Sequence, residues 1–104
     1  MTDSNRDYNL RQFRLMERLL EQYQAGAIKL RQLINDLEAL NAALRNPTED
    51  WLSKFEPAWG ALEDVYAAML AEGRTTLNEA VDQPLIKRSV SRLLSNIQSQ
   101  VAAE

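Results

Sequence analysis

Residues 27–44 read AIKLRQLINDLEALNAAL, and this stretch decides the fold class. Leucines recur in it every three or four residues, a spacing that places their side chains on one face of an α-helix. The members of this stripe are Leu30, Leu33, Leu37, Leu40 and Leu44. Good helix formers stand between them. The stretch therefore predicts an amphipathic helix whose apolar face must pack against other helices.

A first helix is predicted before this stretch, at about residues 5–24. Phe13, Met16, Leu20 and Tyr23 recur there at helical spacing and share one face. Gly26 is expected to end that helix, because glycine adopts the left-handed backbone that commonly follows a last turn.

A third helix is predicted to follow the pair Asn46-Pro47. Thr48 is a good N-cap, and Glu49 and Asp50 fall in the first turn, where the helix dipole favours carboxylates. The helix should run to Glu72, with Gly73 beyond its end. Its apolar stripe is Trp51, Phe55, Trp59, Leu62, Tyr66 and Met69. The stripe keeps helical phase across Pro57, so we predict a kink there and not a break. Buried packing of these aromatics is favoured over a ligand-stacking cage.

The fourth helix is predicted to begin at Asp82, interpreted as its N-cap, with Pro84 tolerated in the first turn. Its apolar face comprises Ile86, Val90, Leu93, Leu94, Ile97 and Val101. Residues 73–81 form the longest connection, with room for a helical turn and with Leu77 as an anchor into the core. Together the segments predict an all-α fold, an antiparallel four-helix bundle with a kinked third helix, in a single domain over residues 1–104.

Composition limits the functional classes. The chain has 104 residues, is 45% hydrophobic and has no cysteine and no histidine. Charges interrupt every apolar run, and no secretory leader is recognisable after Met1, so we expect a cytoplasmic protein without a membrane span or disulfides. Zinc sites of the Cys/His kind and Ser-His-Asp triads cannot be built, and three glycines supply no phosphate-binding loop. We therefore predict no enzyme, no cofactor and no metal.

A magnesium site and a nucleic-acid site are the two other kinds of site that parts of the sequence allow. Some helical hydrolases hold magnesium with acids three residues apart, a spacing that Glu79 and Asp82 have. Glu17 and Glu21 are four residues apart and do not have it. A capping aspartate beside a solvated glutamate is the favoured interpretation.

Basic residues cluster on the first and fourth helices, namely Arg11, Arg14, Arg18, Lys87, Arg88 and Arg92. The net charge of −3 and acids three residues after Arg14 and Arg18 favour a solvated, partly paired surface over a nucleic-acid site.

The distribution of charge is uneven. Residues 48–82 hold eight acidic and two basic residues, a net charge of −6, whereas the remainder carries +3. On a helical wheel Glu49, Glu56 and Glu63, seven residues apart, share a flank of the third helix near Gly60 and two alanines. The predicted partner-binding residues are Glu49, Asp50, Glu56, Glu63, Asp64 and Glu72. A protein partner with a basic surface would associate faster with this segment. A face made acidic for solubility is an equally weighted alternative.

Three stretches of the chain resemble a known class of proteins. They are Tyr23-Gln24-Ala25-Gly26-Ala27-Ile28, Leu33-Ile34-Asn35-Asp36-Leu37-Glu38 and Trp59-Gly60-Ala61-Leu62-Glu63-Asp64-Val65-Tyr66-Ala67. Over roughly residues 8–100 the chain resembles small all-helical bacterial immunity proteins of polymorphic toxin systems, including contact-dependent growth inhibition. The motifs that carry the resemblance are helical and apolar. It implies a cytoplasmic inhibitor that binds a cognate toxin, often a nuclease, at or over the toxin's active site.

The leading hypothesis is therefore a non-catalytic immunity protein that neutralises a toxin by stoichiometric binding, with a nuclease as one candidate class of toxin. The predicted partner is a basic toxin domain, with no nucleic acid and no membrane, and the chain is expected to be a monomer or a weak homodimer. The alternative is a helical adaptor or regulatory subunit that binds an endogenous protein. A carboxylate-metal hydrolase ranks third.

Overall fold

A computed structural model describes residues 3–102, and that range contains four α-helices and no β-strand. The helices are α1 (Asp3–Gln24), α2 (Leu30–Ala43), α3 (Glu49–Ala71) and α4 (Asp82–Ala102). Each helix lies alongside two others, in the ring order α1, α2, α3, α4. The bundle is elongated, with extents of 51 × 25 × 19 Å.

Hydrogen bonds between neighbouring helices establish their antiparallel order. Asn9, near the start of α1, exchanges two hydrogen bonds of 2.7 and 2.9 Å with the backbone of Arg45, just after α2 ends. Asn96, near the end of α4, donates at 3.3 Å to the carbonyl oxygen of Trp51, in the first turn of α3. The predicted all-α, antiparallel four-helix bundle is confirmed.

Glycines end α1 and α3 as the sequence predicted. Gly26 and Gly73 have φ of 77° and 69°, in the left-handed region that favours glycine. In each case the glycine N–H bonds back three residues, and the next N–H bonds back five residues, to Gln22 and to Met69. This is the Schellman arrangement, which satisfies carbonyls that the helix leaves free.

The start of α2 was predicted too early. Its first residue is Leu30 and its N-cap is Lys29, whose backbone is extended. Ala27, predicted as helical, donates its N–H to Gln22 and so completes the end of α1. The chain must leave that turn before a new helix can begin, which displaces the start of α2 by three residues.

The third helix begins and continues as predicted. The Thr48 side chain accepts a 3.0 Å hydrogen bond from the backbone N–H of Trp51, as an N-cap does. The helix is uninterrupted through Pro57. Proline has no N–H, so the carbonyl of Ser53 lacks its helical donor there. The kink stays a prediction.

The apolar stripe of α3 was predicted in a slightly rotated register. Its buried members are Trp51, Phe55, Ala58, Leu62, Val65 and Met69. Trp59 and Tyr66, assigned to the stripe from the sequence, are only half-buried at its edge. At the edge, the Trp59 indole N–H reaches the Ile34 carbonyl at 2.9 Å, while the small Ala58 occupies the centre. At this point of α3 the bulky Trp59 therefore flanks the buried stripe, and the smaller Ala58 lies within it.

The aromatic residues pack as core and not as a ligand cage. Phe13, Trp51, Phe55 and Trp59 form a row with successive ring centroids 4.8, 5.4 and 6.5 Å apart. Trp51 is 1% exposed and is among the largest fully buried side chains. The predicted apolar positions of α1, α2 and α4, and Leu77 in the connection, are buried or half-buried against the same core.

Candidate functional site

All six predicted partner-binding residues have exposed side chains. They are Glu49, Asp50, Glu56, Glu63, Asp64 and Glu72. The first five belong to α3, and Glu72 is its C-cap. None of them is drawn into the core, so the outer surface of α3 is a strongly acidic part of the molecule.

These acids occupy two flanks of α3 and do not form one cluster. At about 100° per residue, Glu56 and Glu63 bracket Trp59 by three and four residues and so follow the flank that faces α2. Glu49, seven residues before Glu56, lies on the same side of the outer surface. Asp64 and Glu72 lie on the opposite flank, which faces α4. A narrow line of small residues separates the two flanks.

Two of the six carboxylates are paired within the chain. Asp50 lies 3.3 Å from the ammonium of Lys54, and Glu72 lies 2.7 Å from the guanidinium of Arg74. Among the side chains that the structure describes, Glu49, Glu56, Glu63 and Asp64 have no ion-pair partner. The flank that faces α2 therefore carries the least compensated negative charge. An external cation would gain the most favourable electrostatic energy at this flank.

The connection between α3 and α4 is fixed by a buried carboxylate. Asp82 accepts hydrogen bonds from the Asn78 backbone N–H at 2.7 Å and from the Arg74 guanidinium at 2.8 Å. The hydrogen bond from the Asn78 N–H is the largest cause that holds the pKa of Asp82 below its usual value, and the hydrogen bond from the Arg74 guanidinium is the second. The hydrogen bonds that Arg74 donates to Asp82, the larger cause, and to Glu72 raise the pKa of Arg74. Arg74 also donates to the Thr76 carbonyl at 3.3 Å, so the guanidinium joins several points of the connection.

Asp82 is not the N-cap that the sequence predicted. Asp82 is already the first residue of α4, and Asn78 caps the turn just before it: the Asn78 side-chain oxygen accepts from the N–H groups of Ala80 and Val81 at 2.8 and 3.0 Å. The carboxylate of Asp82 points back to the Asn78 N–H, a reciprocal arrangement similar to a capping box. The helical turn considered for the connection is present at residues 78–82, where the Asp82 N–H bonds to the Asn78 carbonyl. In the sequence, the polar pair Asn78 and Asp82, four residues apart, is the pattern that could have indicated this capped turn.

An apolar groove beside the acidic surface was missed by sequence analysis. It lies between α3, the connection and the start of α4, with a volume of about 510 Å³. Asp64 and Glu72 line it together with Val81 and Leu85, which are 61% and 43% exposed. A signal existed, since Val81 and Leu85 are four residues apart and stand off the core stripe of Ile86 and Val90.

The basic residues considered for nucleic-acid binding are exposed on α1 and α4. Within the described part of the chain, no ion pair joins Arg14 to Glu17 or Arg18 to Glu21, although the spacing allows both. Instead, Arg45 lies 4.0 Å and Arg11 5.9 Å from the centre of the Tyr8 ring. The predicted pairing on α1 is therefore wrong.

The two acids considered for magnesium do not form a shared site. Glu79 is exposed, whereas Asp82 is buried and its carboxylate is engaged by Arg74 and Asn78. Over residues 3–102 no group of three or more acidic side chains is placed to hold a metal ion. None of the described helices is long and apolar enough to cross a membrane.

Comparison of the chain with protein-family models, with curated proteins and with solved structures finds no match.

Proposed function

We propose that this chain is a non-catalytic binding protein of the cytoplasm that acts as an immunity protein and neutralises a cognate bacterial toxin by stoichiometric binding. The observation that carries the proposal is the exposed acidic surface of α3. Glu49, Glu56 and Glu63 repeat at intervals of seven residues, are exposed, and have no ion-pair partner among the described side chains. Such a surface favours a basic protein partner.

A nuclease is the class of toxin that suits this charge best. A nuclease must attract a polyanion and is therefore basic around its active site. An acidic inhibitor gains a faster association rate against such a target, and like charges penalise wrong partners. The inhibitor needs no catalytic group for this role, because occupying or covering the active site is sufficient.

The capped ends of α3 support binding by a preformed surface. Both ends of α3 are fixed: Thr48 caps its start, and Gly73 and Arg74 complete its last turn. The acidic side chains are therefore carried by a rigid helix and not by a loop. A partner would have to order few backbone groups when it binds, which lowers the entropic cost of association.

Co-expression with the product of the neighbouring reading frame tests the proposal. A large toxin or secreted effector encoded beside this chain, and a one-to-one complex that survives size-exclusion chromatography, is the expected result. The toxin should kill cells that lack the chain and spare cells that contain it. If the neighbour is an endogenous regulatory or metabolic protein that binds without any toxicity, the proposal is wrong and the adaptor function is supported.

A further inference from the structure

The apolar groove between α3 and α4 has a floor and a wall of different origin. Ala61, Val65 and Ala68 of α3 form the floor, and Val81 and Leu85, at the end of the connection and the start of α4, form the wall. Val81 and Leu85 remain 61% and 43% exposed. Bulky apolar side chains left open beside a groove mark surfaces that another molecule can cover.

The wall of the groove is held in place without a partner. Asn78 caps the turn that carries Val81 through hydrogen bonds to the N–H groups of Ala80 and Val81. Asp82, the next residue, is bonded to the Asn78 N–H and to the Arg74 guanidinium. Val81 and Leu85 are thus presented by a fixed turn, so the groove is preformed.

The groove has a net negative charge. Its charged lining residues are Asp64, Glu72, Asp82 and Arg74, which gives a net charge of −2. The Arg74 guanidinium is engaged by two of these carboxylates at 2.7 and 2.8 Å, which leaves Asp64 as the unpaired charge at the rim. Lys87 and Arg88 of α4 are exposed but do not line the groove. A complementary occupant would be apolar along its centre and basic along its edges.

The structure around the groove decides which of three known modes of peptide recognition the groove can support. Strand addition needs an open sheet edge, and the described residues 3–102 form helices without a strand. Recognition of proline-rich segments needs an aromatic-lined groove, and no aromatic ring lines this one. An apolar groove between two helices is suited to the apolar face of an amphipathic helix.

We infer that the groove bounded by Ala61, Ala68, Val81 and Leu85 receives an amphipathic helix of the partner protein, whose apolar side chains enter the groove and whose flanking lysines or arginines face Asp64 at the rim. This inference rests on the proposed function, since it identifies which part of the partner meets this flank of α3. It adds apolar anchors to a surface otherwise described by charge alone.

A synthetic peptide provides a direct test. The probe is a fluorescent amphipathic helix of about 16 residues, with leucines at i, i+3, i+4 and i+7 and lysines on both flanks. Its binding to the full chain is followed by fluorescence anisotropy. The variants are Val81→Gln/Leu85→Gln and the control Leu70→Gln, because Leu70 is 57% exposed on α3 but does not line the groove.

Saturable one-to-one binding is expected, weakened at least about tenfold in the double variant and less than about twofold in Leu70→Gln. Amide chemical shifts of the unmodified chain should change around Ala61, Ala68, Val81 and Leu85, which locates the peptide independently of any variant. The inference is overturned if the peptide does not bind saturably, if both variants weaken binding equally, or if the shifts change elsewhere. The peptide assay contains no toxin. If the chain neutralises a toxin but does not bind the peptide, only this inference is wrong. If the chain binds the peptide but neutralises no toxin, only the proposed function is wrong.

Discussion

The indole N–H of Trp51 donates a 2.7 Å hydrogen bond to Oδ1 of Asn41 and so ties the first turn of α3 to the last part of α2. Trp51 is also in contact with the rings of Phe13 and Phe55. It therefore joins three helices at one end of the bundle. That end also contains the buried Asn96 of α4, which donates to the Trp51 carbonyl.

Replacing Trp51 by alanine should lower the free energy of unfolding by about 3–5 kcal/mol, as expected for a fully buried large side chain. Trp59→Ala should cost less, because Trp59 is only half-buried. Urea denaturation followed by circular dichroism measures both. A larger loss for Trp59→Ala than for Trp51→Ala would contradict the packing described above.

The different burial of Trp51 and Trp59, which the sequence assigned to one stripe, shows how much of this fold can be predicted from sequence. Helical spacing and the positions of Gly26, Thr48 and Gly73 were sufficient for the number, type and approximate ends of the helices, because these depend on local chemistry. The register of the α3 stripe was not predictable to one residue, since Ala58 and Trp59 both fit helical phase. Only the position of α2, which accepts the Trp59 N–H, decides which of them is central.

The candidate site was predictable to a different degree. Exposure of five of the six acids followed from their positions off the apolar stripe. Glu72 continues the phase of that stripe, and it is exposed because it is the C-cap at the end of α3. The groove did not follow, because Val81 comes from the connection and meets Ala61 and Ala68 only through the tertiary packing of α3 against α4. The capping of the turn before α4 by Asn78 was likewise hidden, since Asn78 and Asp82 are both good capping residues.

Asp82→Asn should destabilise the protein in a way that depends on pH. The pKa of Asp82 is lowered in the folded state, so the carboxylate stabilises the fold above its unfolded pKa of about 3.9. That contribution is lost as the pH falls through the lower folded value. The stability difference between Asp82→Asn and the unmodified chain should therefore be constant from neutral pH to about 5 and shrink below about 4. Urea denaturation at a series of pH values measures it.

Asp64→Asn is the matched control for that experiment, because Asp64 is exposed and has no ion-pair partner among the described side chains. It should not reproduce the pH-dependent difference. A difference for Asp82→Asn that grows towards acid pH would contradict the role assigned to its carboxylate.

Asn96→Leu should raise the free energy of unfolding by about 1 kcal/mol. The Asn96 Oδ1 atom is buried and has no hydrogen-bond partner among the described residues, where the Asn96 amide nitrogen makes a single 3.3 Å bond to the Trp51 carbonyl. Leucine has the same branching at Cγ and buries no polar atom. Asn96→Asp, which would bury a charge, should be strongly destabilising. A loss of stability in Asn96→Leu comparable with that in Asn96→Asp would show that the amide is required.

Magnesium, manganese and zinc should leave Tm unchanged, and a panel of nucleotides should not be hydrolysed. The reason is that Asp82, one of the two acids with hydrolase spacing, is already bonded to Arg74 and Asn78. Glu79→Gln should be indistinguishable from the unmodified chain in thermal unfolding and in both assays. Metal-dependent hydrolysis that disappears in Glu79→Gln would establish an enzyme and overturn the proposed function.

The central proposal is tested most directly by reversing charge on the α3 flank that faces α2. Glu56→Lys/Glu63→Lys is compared with Asp7→Lys/Glu21→Lys, an equal change of net charge at exposed positions on α1, the helix diagonally opposite α3 in the bundle. Both variants should keep their fold, since exposed substitutions usually change stability by less than about 0.5 kcal/mol per site. A difference in binding between the two variants then reports contacts made at the substituted positions. Their long-range electrostatic effects are similar and are screened beyond about 10 Å in 0.1 M salt.

Association of each variant with the proposed cognate toxin, identified by the co-expression experiment, is measured by stopped-flow fluorescence at several salt concentrations, together with protection of toxin-exposed cells. The predicted result is association on the order of tenfold slower for Glu56→Lys/Glu63→Lys at low salt, with a reduced salt dependence and lost protection. The control variant should bind and protect nearly as well as the unmodified chain. If the α3 double reversal associates and protects as well as the unmodified chain, the toxin is bound elsewhere and the proposed role of the acidic surface is wrong.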